Sequence, residues 1–185
     1  MEALGKRPWL LRGAVLGLAL VVGLIALIAS GGDDDDGGEE AAPVATESRI
    51  VEAGELADVA VSAGHFVYWA GPIDGTELEL TESEDGSVQV RYLKSDDEAG
   101  TESAAALTIG TYPVPDPAAA LDRFAGEPGS TTKTSPEGLE VVTSESSPNS
   151  AYFVSPDNSV QVEVYDPEPG RALELALSGR VRPAS

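Results

Sequence analysis

The sequence predicts an α+β fold, in which helices pack on an antiparallel sheet that follows a transmembrane helix. Three observations support this prediction. An uncharged apolar run occupies residues 13–29. Farther along, segments that alternate apolar and polar residues are joined by short turn signals, as in antiparallel hairpins. Asp-Pro pairs followed by a glycine mark helices, and these helices do not alternate regularly with the strands, as they would in a parallel sheet.

The apolar run is long enough to span a membrane. A bilayer core of about 30 Å takes about 20 helical residues, and residues 13–30 reach that length when the apolar residues just before them are included. The basic residues near the run, Lys6, Arg7 and Arg12, all precede it. Because basic residues favour the cytoplasmic side, residues 1–12 are predicted in the cytoplasm. We expect a single-pass cell-membrane protein whose C-terminal domain lies outside the cell.

A cleaved signal peptide is the alternative interpretation of the same run. Signal peptides usually have a shorter apolar region of about 7 to 15 residues and a small residue three positions before the cleavage site. Cleavage after Ser30 or after Ala29 would place Ile28 or Leu27 at that position. Length and flanking residues therefore favour a retained anchor that contacts the lipid bilayer through residues 13–30.

Residues 31–48 are predicted to be a disordered acidic linker. They read GGDDDDGGEEAAPVATES, in which glycine adds flexibility, like charges repel and few apolar groups can be buried. An EF-hand calcium loop would need a third acidic or amide residue two positions after Asp35, but Gly37 stands there. We therefore predict no metal site in the linker.

Composition limits the function of the remaining chain. The net charge of the whole chain is −21. The predicted cytoplasmic end is net positive, so the part predicted outside the cell carries a larger negative charge than the chain as a whole. Such a field repels nucleic acids and anionic lipid surfaces, and we expect no nucleic-acid partner. The chain has no cysteine, so its fold cannot depend on disulfides. Residues 49–185 are enough for one extracytoplasmic α+β domain with one core.

The first half of this domain begins with a predicted helix. Leu56 and Ala60 lie on one face of it at helical spacing, and Gly64 ends it. The following aromatic strand is apolar on both faces, which is typical of a strand covered on both sides. Two alternating strands around the Asp85-Gly86 hairpin turn are each expected to have one face in water. The predicted strands are 65–69, 77–80, 87–92 and 105–112.

The second half is built from the same signals. Asp116 and Pro117 begin a helix that ends at Gly126, because aspartate caps a helix and proline suits its first turn. Asp166-Pro167 is predicted to open a final helix that closes at Gly179. The strands between these helices are predicted at 139–144, 151–155 and 160–165, the last two joined by a turn at 156–158.

Two stretches of the domain resemble each other. SVQVRY at 87–92 is similar to SVQVEVY at 159–165, and in each half a tyrosine precedes an Asp-Pro helix start. This similarity indicates a duplicated hairpin-plus-helix unit. Alternating valines are also common in unrelated strands, so chance similarity is the other interpretation.

Catalytic residues are not evident in the sequence. His65 is the single histidine and there is no cysteine, which excludes the usual zinc ligand sets and Cys-His nucleophiles. At the junction of a helix end and a strand, His65 is predicted to bond backbone carbonyls, with a catalytic or pH-sensing role as the alternative. Glycine-rich phosphate loops and nucleophile-elbow motifs are absent. We predict no catalytic residue, no cofactor and no metal.

The aromatic residues Phe66, Tyr68 and Trp69 are the candidate ligand-binding residues. Aromatic rings at a surface can stack on a sugar ring or hold a proline-rich peptide. The same residues in a short strand that is apolar on both faces are also typical of a core. The sequence alone leaves both interpretations open.

Several short motifs resemble those of a protein family. The stretches FVYWAGP, VRYL, GTYP and VEVYDP, at 66–72, 90–93, 110–113 and 162–167, resemble an uncharacterised actinobacterial family of single-span or secreted proteins. The resemblance implies an extracytoplasmic α+β domain behind an N-terminal anchor. It implies no activity, ligand or catalytic residue.

Two functional hypotheses follow. The first is a membrane-anchored, non-enzymatic module that binds a protein, a peptide or an envelope component. The alternative is a membrane-anchored envelope hydrolase that uses paired carboxylates. Such an enzyme would need two carboxylates in a cleft, about 5 to 9.5 Å apart.

Overall fold

The computed structural model describes residues 48–95, 97, 99–100 and 105–185. The predicted cytoplasmic end, the transmembrane helix at 13–30 and the linker up to residue 47 lie outside the described residues, and they stay predictions. Within the described residues, no helix has the length and apolar character needed to cross a membrane.

The described part of the chain contains ten strands and three helices. Eight of the strands form one sheet in the order β1-β3-β4-β5-β9-β8-β7-β6, and every neighbouring pair is antiparallel. The predicted antiparallel sheet with packed helices is therefore confirmed. The strands are β1 Arg49–Val51, β2 Tyr68–Trp69, β3 Thr76–Glu82, β4 Val88–Lys94, β5 Leu107–Tyr112, β6 Ser130–Thr134, β7 Glu140–Ser144, β8 Ser147–Val154, β9 Gln161–Tyr165 and β10 Arg182–Pro183; the helices are α1 Glu55–Ala63, α2 Pro117–Ala125 and α3 Arg171–Leu177.

The two faces of the sheet are covered differently. On one face, valines and other apolar side chains of the central strands form the main core with residues of α1 and α3, such as Leu56 and Ala176. On the other face, Leu121 and Phe124 of α2 pack on Val142 and Tyr152 in a second, smaller core. Because side chains of a strand alternate between faces, the residues between the core valines point toward the α2 side. We call these two surfaces the main-core face and the α2 face.

Strands β2 and β10 form a separate two-stranded ribbon over the main-core face. Tyr68 pairs with Pro183 and Trp69 with Arg182. The Tyr68 backbone N–H donates to the Thr111 side-chain oxygen at 3.0 Å, which ties the ribbon to β5. The Tyr68 ring meets the Phe153 ring edge-on, with 5.6 Å between the centroids, so this tyrosine belongs to the core.

Some element boundaries differ from the predictions. The predicted strand 65–69 is reduced to the two residues of β2, because pairing with β10 begins only at Tyr68. The final helix begins at Arg171, not at Asp166-Pro167, where the Asp166 carboxylate accepts a hydrogen bond from the Glu168 N–H at 2.8 Å and makes a turn. Three short strands, β1, β6 and β10, were not predicted.

The prediction that β3 has one face in water holds at Glu77, which is exposed, and is wrong at Glu79, farther along the same face. Glu79 is fully buried on the α2 face, and its carboxylate pairs with the Arg91 guanidinium on the neighbouring strand. It also accepts a hydrogen bond from the Gly100 N–H, which belongs to the connection after β4. A buried carboxylate therefore stands where alternation predicted a solvated one, and Arg91 and the Gly100 N–H supply its partners.

The two similar stretches lie in β4 and β9, on either side of β5. Gln89 and Glu163 both occupy the row of Gly110 in this register. Helices α1 and α2 pack on opposite faces of the sheet. The duplicated hairpin-plus-helix unit stays a prediction.

His65 joins two loops at the start of the domain. One ring nitrogen lies 2.8 Å from the Phe66 carbonyl oxygen and the other lies 2.9 Å from the Gly86 carbonyl oxygen. These contacts connect the end of α1 to the β3–β4 hairpin turn. They are the backbone-carbonyl contacts that the predicted structural role requires.

Candidate functional site

A groove on the α2 face opens between α2, the start of β7 and the end of β8. Its volume is about 210 Å³. The inner walls are apolar, and two carboxylates lie at the mouth. The lining residues are Ala118, Leu121, Asp122, Gly138, Leu139, Glu140 and Val154.

Helix α2, which forms one wall of the groove, is held at both its start and its buried face. Asp116 caps the helix by accepting a hydrogen bond from the Ala119 N–H at 3.2 Å, as the sequence predicted. The Asn158 side chain accepts from the Ala118 N–H at 3.1 Å and ties the helix to the β8–β9 turn. Leu121 and Phe124 are buried against the sheet. Contacts within the chain therefore hold this wall in place without a ligand.

The opposite wall is set by the turn between β6 and β7. The Ser135 N–H donates to the Leu139 carbonyl at 2.8 Å, and the Ser135 hydroxyl accepts from the Leu139 N–H at 3.1 Å. Gly138 has a φ of 87°, a conformation that favours glycine. This turn places Leu139, which is partly exposed, at the lip of the groove.

The mouth of the groove carries negative charge. Asp122 and Glu140 are exposed, and among the described residues neither carboxylate has an ion pair or a side-chain hydrogen bond. Carboxylates above apolar walls can hold a cation whose stem is aliphatic. No cluster of three or more acidic or histidine side chains in the described part of the chain is arranged to hold a metal ion.

Beneath α2, Glu163 is buried among three hydroxyl groups. Ser150 and Tyr152 donate hydrogen bonds to one carboxylate oxygen at 2.8 and 2.9 Å, and Tyr112 donates to the other at 3.3 Å. Burial raises the pKa of Glu163 to about 7, although the three hydroxyl donors act in the opposite direction. Burial and the nearby Glu163 charge also raise the pKa of Tyr112 and of Tyr152.

The Glu163 cluster connects to the groove through aromatic packing. The Tyr152 ring meets Phe124 edge-on, with 5.1 Å between the centroids. One strand away, Gly110 leaves room for the Tyr112 ring, which lies where a side chain at position 110 would be. Gln161 lies two residues before Glu163 on β9, and its side-chain oxygen is buried without a hydrogen-bond partner among the described residues. The hydrogen bonds to Glu163 therefore connect strands β5, β8 and β9 beneath α2.

The two buried carboxylates of this face do not form a catalytic pair. Glu79 lies on β3 and Glu163 on β9, with β4 and β5 between them. Three strand spacings separate them by about 14 Å, at roughly 4.8 Å per spacing. Glycosidases need about 5 to 9.5 Å between their carboxylates. These two residues thus give no support to the hydrolase hypothesis.

The predicted ligand-binding aromatics are not on one surface. Tyr68 is buried in the main core. Phe66 is 45% exposed, and Trp69 is partly exposed while packing against that core. The structure thus separates Tyr68 from its two neighbours, which remain in contact with water. Their role in ligand binding stays a prediction.

Sequence reasoning missed the groove. It identified α2 and the strand at 139–144 as separate elements, and neither element alone indicates a cavity. Val154 packs against the small core under α2, whereas Leu139 packs against the main core, and the groove forms only where α2, β7 and β8 meet. The available local signal was the pair of acidic residues, Asp122 and Glu140, beside apolar neighbours.

The chain was compared with protein-family models, with curated proteins and with solved structures, and none of the three comparisons found a match. The resemblance to an actinobacterial family stays a prediction.

Proposed function

We propose that this chain is a membrane-tethered extracytoplasmic binding module without catalytic activity. Residues 13–30 anchor it, residues 31–48 form the tether, and the groove beside α2 binds a basic side chain of a protein or peptide partner. The observation that carries the proposal is the groove itself, in which two carboxylates stand over apolar walls.

The shape of the groove suits one long side chain. A volume of about 210 Å³ is below the roughly 300 to 1,000 Å³ of typical small-molecule pockets. The methylene stem of lysine or arginine packs against Leu121, Leu139 and Val154. Its cationic end then reaches Asp122 or Glu140 at the mouth.

The charge of the whole chain supports the same partner. A net charge of −21 creates a field that attracts cationic partners and raises their association rate. Because that long-range attraction is screened beyond about 8 to 10 Å at physiological salt, the specific contacts must come from the groove. A basic segment of a partner satisfies both requirements.

Peptide binding to the full-length chain in detergent micelles tests this proposal. Three labelled heptapeptides differ only at the central position, which is lysine, norleucine or glutamate, and binding is followed by fluorescence anisotropy. We expect the lysine peptide to bind at least tenfold more tightly than the other two. In the double variant Asp122→Asn/Glu140→Gln, that preference should disappear.

A matched control separates the groove from the general field. The double variant Asp58→Asn/Glu84→Gln removes the same charge from two exposed sites outside the groove. It should bind the lysine peptide as the parent does. Equal weakening in both double variants, or equal affinity for lysine and norleucine in the parent, would contradict the proposal.

A further inference from the structure

We propose that the free edge of β6 is a second contact surface for the same partner, which adds a strand to the sheet there. The partner segment is extended and basic, and its backbone pairs with Thr132 and Thr134. The inference rests on the proposed function, because one continuous segment occupies both the edge and the groove. It adds backbone hydrogen bonds that the groove alone does not require.

The outer side of β6 is open. This strand lies at one end of the eight-stranded sheet, and within the described part of the chain only β7 pairs with it. Four of its five residues are exposed and Ser130 is partly exposed. At the opposite end of the sheet, β1 is three residues long. A long exposed edge is a template for another strand, and β6 is the longer of the two edges.

The hydrogen bonds that flank β6 fix the pattern of its ladder with β7. Before the strand, the Glu145 N–H donates to the Gly129 carbonyl at 3.0 Å. After the strand, the Ser135 N–H donates to the Leu139 carbonyl at 2.8 Å. Hydrogen-bonded and unbonded pairs alternate along an antiparallel ladder. Every second residue of β6, counted from either flanking pair, therefore bonds to β7.

This pattern shows which backbone groups face outward. Thr131 and Lys133 are the residues that bond to β7, opposite Thr143 and Val141. The N–H and C=O groups of the intervening residues, Thr132 and Thr134, point away from β7. Among the described residues, no other backbone or side-chain group bonds to them. An added strand would satisfy these four groups, as in other edges that bind extended peptides.

The side chains of β6 leave the way to the groove free of positive charge. Thr134 is opposite Glu140, which lies at the mouth of the groove, so both side chains are on the α2 face. Lys133 is the only charged residue of the strand. It is opposite Val141 of the main core and therefore lies on the other face. A basic segment at this edge meets the carboxylate of Glu140 without passing Lys133.

The edge and the groove are joined by one short turn. Strand β6 ends at Thr134, and the turn after it carries Gly138 and Leu139, which line the groove. A strand added beside β6 lies two strand spacings, or about 10 Å, from β7 and Glu140. At about 3.3 Å per residue, an extended segment covers that distance in about three residues. One segment can therefore pair with β6 and place a lysine in the groove.

Charge favours a basic partner over the other candidates for this edge. Asp122 and Glu140 at the groove mouth and the net charge of −21 attract cations. A second copy of the chain carries the same negative charge, and residues 31–48 are also acidic. These residues precede β1, which lies at the opposite edge of the sheet. A lysine-rich segment of a partner is the occupant that matches the charge.

A peptide series tests the backbone contact. The probe is a labelled ten-residue peptide in which lysine and threonine alternate, and its binding to the full-length chain in detergent micelles is followed by fluorescence anisotropy. One derivative is N-methylated at every lysine and another at every threonine. Only every second residue of an added strand donates to the edge. One derivative should therefore bind at least tenfold more weakly, and the other should bind as the unmethylated peptide does.

Amide hydrogen exchange, followed by NMR on the same micelles, locates the contact. In the free chain, the amides of Thr131 and Lys133 should exchange slowly, and those of Thr132 and Thr134 should exchange fast. Saturating peptide should slow exchange at Thr132 and Thr134 at least tenfold. This readout follows the edge itself and does not depend on any substitution.

Variants separate the edge from the groove. Thr132→Pro removes an outward N–H without removing a bond to β7 and should weaken binding at least fivefold, whereas Thr132→Val keeps the N–H and should bind as the parent does. In Asp122→Asn/Glu140→Gln, saturating peptide should still protect the amides of Thr132 and Thr134. Loss of the lysine preference with this protection intact would refute the groove alone. A lysine preference without protection would refute the edge alone.

Other results would also contradict the added strand. They are equal binding of the two methylated peptides, whether both are strong or both weak, and fast exchange at Thr132 and Thr134 with peptide at saturation. Slow exchange at these two amides in the free chain would show that the edge is already covered. If that protection increased with protein concentration, the occupant would be a second copy; if it did not, the occupant would be another segment of the same chain. Either result refutes the basic partner.

Discussion

The Tyr152 hydroxyl donates a 2.9 Å hydrogen bond to Glu163, while the ring of the same tyrosine packs against Phe124 of α2. A buried carboxyl group and the helix beside the groove are therefore joined through one side chain. The protonation of Glu163 and the position of the groove wall are expected to affect each other.

The first prediction concerns pH. The pKa of Glu163 rises from 4.5 to about 7 on folding, so the folded state holds this proton more tightly. The stabilisation is present below about pH 4.5 and is lost as the pH rises through about 7, an effect of about 3 kcal/mol for this shift. Glu163→Gln mimics the protonated group, and we expect it to remove this decline. Urea denaturation between pH 4 and pH 8 measures the difference between variant and parent.

An exposed carboxylate provides the control for that series. Glu168→Gln removes the same charge from a site in water. Its unfolding free energy should follow the parent across the pH range. If Glu163→Gln kept the same decline as the parent, the carboxyl would not be the source of it.

The second prediction concerns Phe124, which is buried between α2 and the sheet. Phe124→Ala removes the contact with Tyr152 and leaves a cavity, and we expect a loss of about 3 to 5 kcal/mol. The neighbouring Arg123→Ala, on the exposed side of the helix, should change stability by less than about 0.5 kcal/mol. Thermal or urea unfolding of the two variants measures the contrast, and similar losses would contradict it.

The third prediction tests the close packing of Tyr112 over Gly110. A β-carbon at position 110 would collide with the Tyr112 ring. We expect Gly110→Ala to cost about 1 to 3 kcal/mol by overpacking. In a Tyr112→Ala background the same change should be neutral or stabilising, because glycine itself weakens a strand. A double-mutant cycle gives the coupling, and additive costs would show that the ring does not occupy this space.

The fourth prediction concerns the buried pair of Glu79 and Arg91. Arg91→Met leaves the carboxylate of Glu79 buried without its cation, and we expect a loss of about 3 to 5 kcal/mol. The double variant Glu79→Leu/Arg91→Met should recover most of it. For comparison, Arg49→Met breaks only exposed pairs and should cost less than about 1 kcal/mol. Failure of the double variant to recover stability would assign the loss to packing instead.

The fifth prediction ranks the three predicted aromatic site residues. Tyr68→Ala should cost about 3 to 5 kcal/mol, because the ring lies in the main core. Phe66→Ala should cost less than about 1 kcal/mol, since nearly half of the residue is exposed to water. Trp69→Ala should fall between them. Denaturation of the three variants gives the order, and an equal loss at Phe66 would assign that residue to the core.

Local signals identified much of the fold. Gly64, with a φ of 75°, ends α1, and Gly86, with a φ of 84°, lies in the β3–β4 turn. Asp116 caps α2 through its own side chain. In each case, the residues that determine the structure are within a few positions of it, so the pattern and the physical cause are in the same short segment.

The remaining features depend on residues that are distant in the sequence. The partner of Trp69 is Arg182, at the other end of the domain, so no local pattern defines the length of β2. Glu79 looks solvated in the sequence, but its carboxylate is buried and accepts a hydrogen bond from the N–H of Gly100, 21 positions away. Strand β6 reads STTKT, with the polar composition of a loop, and is a strand because β7 pairs with it. The groove likewise exists only after α2 packs on the sheet.

The place of β9 in the sheet has a consequence for how the protein folds. Strand β9 lies between β5 and β8, and the bond from Tyr112 to Glu163 connects residues 51 positions apart. During synthesis from the N-terminus, β1, β3, β4 and β5 are complete well before β9 has been made. Strand β5 therefore has one unpaired edge during this time. Closing such long loops is slow, so the pairing of the β8–β9 hairpin with β5 is expected to set the folding rate. Until this pairing forms, the open edge of β5 can pair with another chain, and this is the period in which aggregation is most favoured.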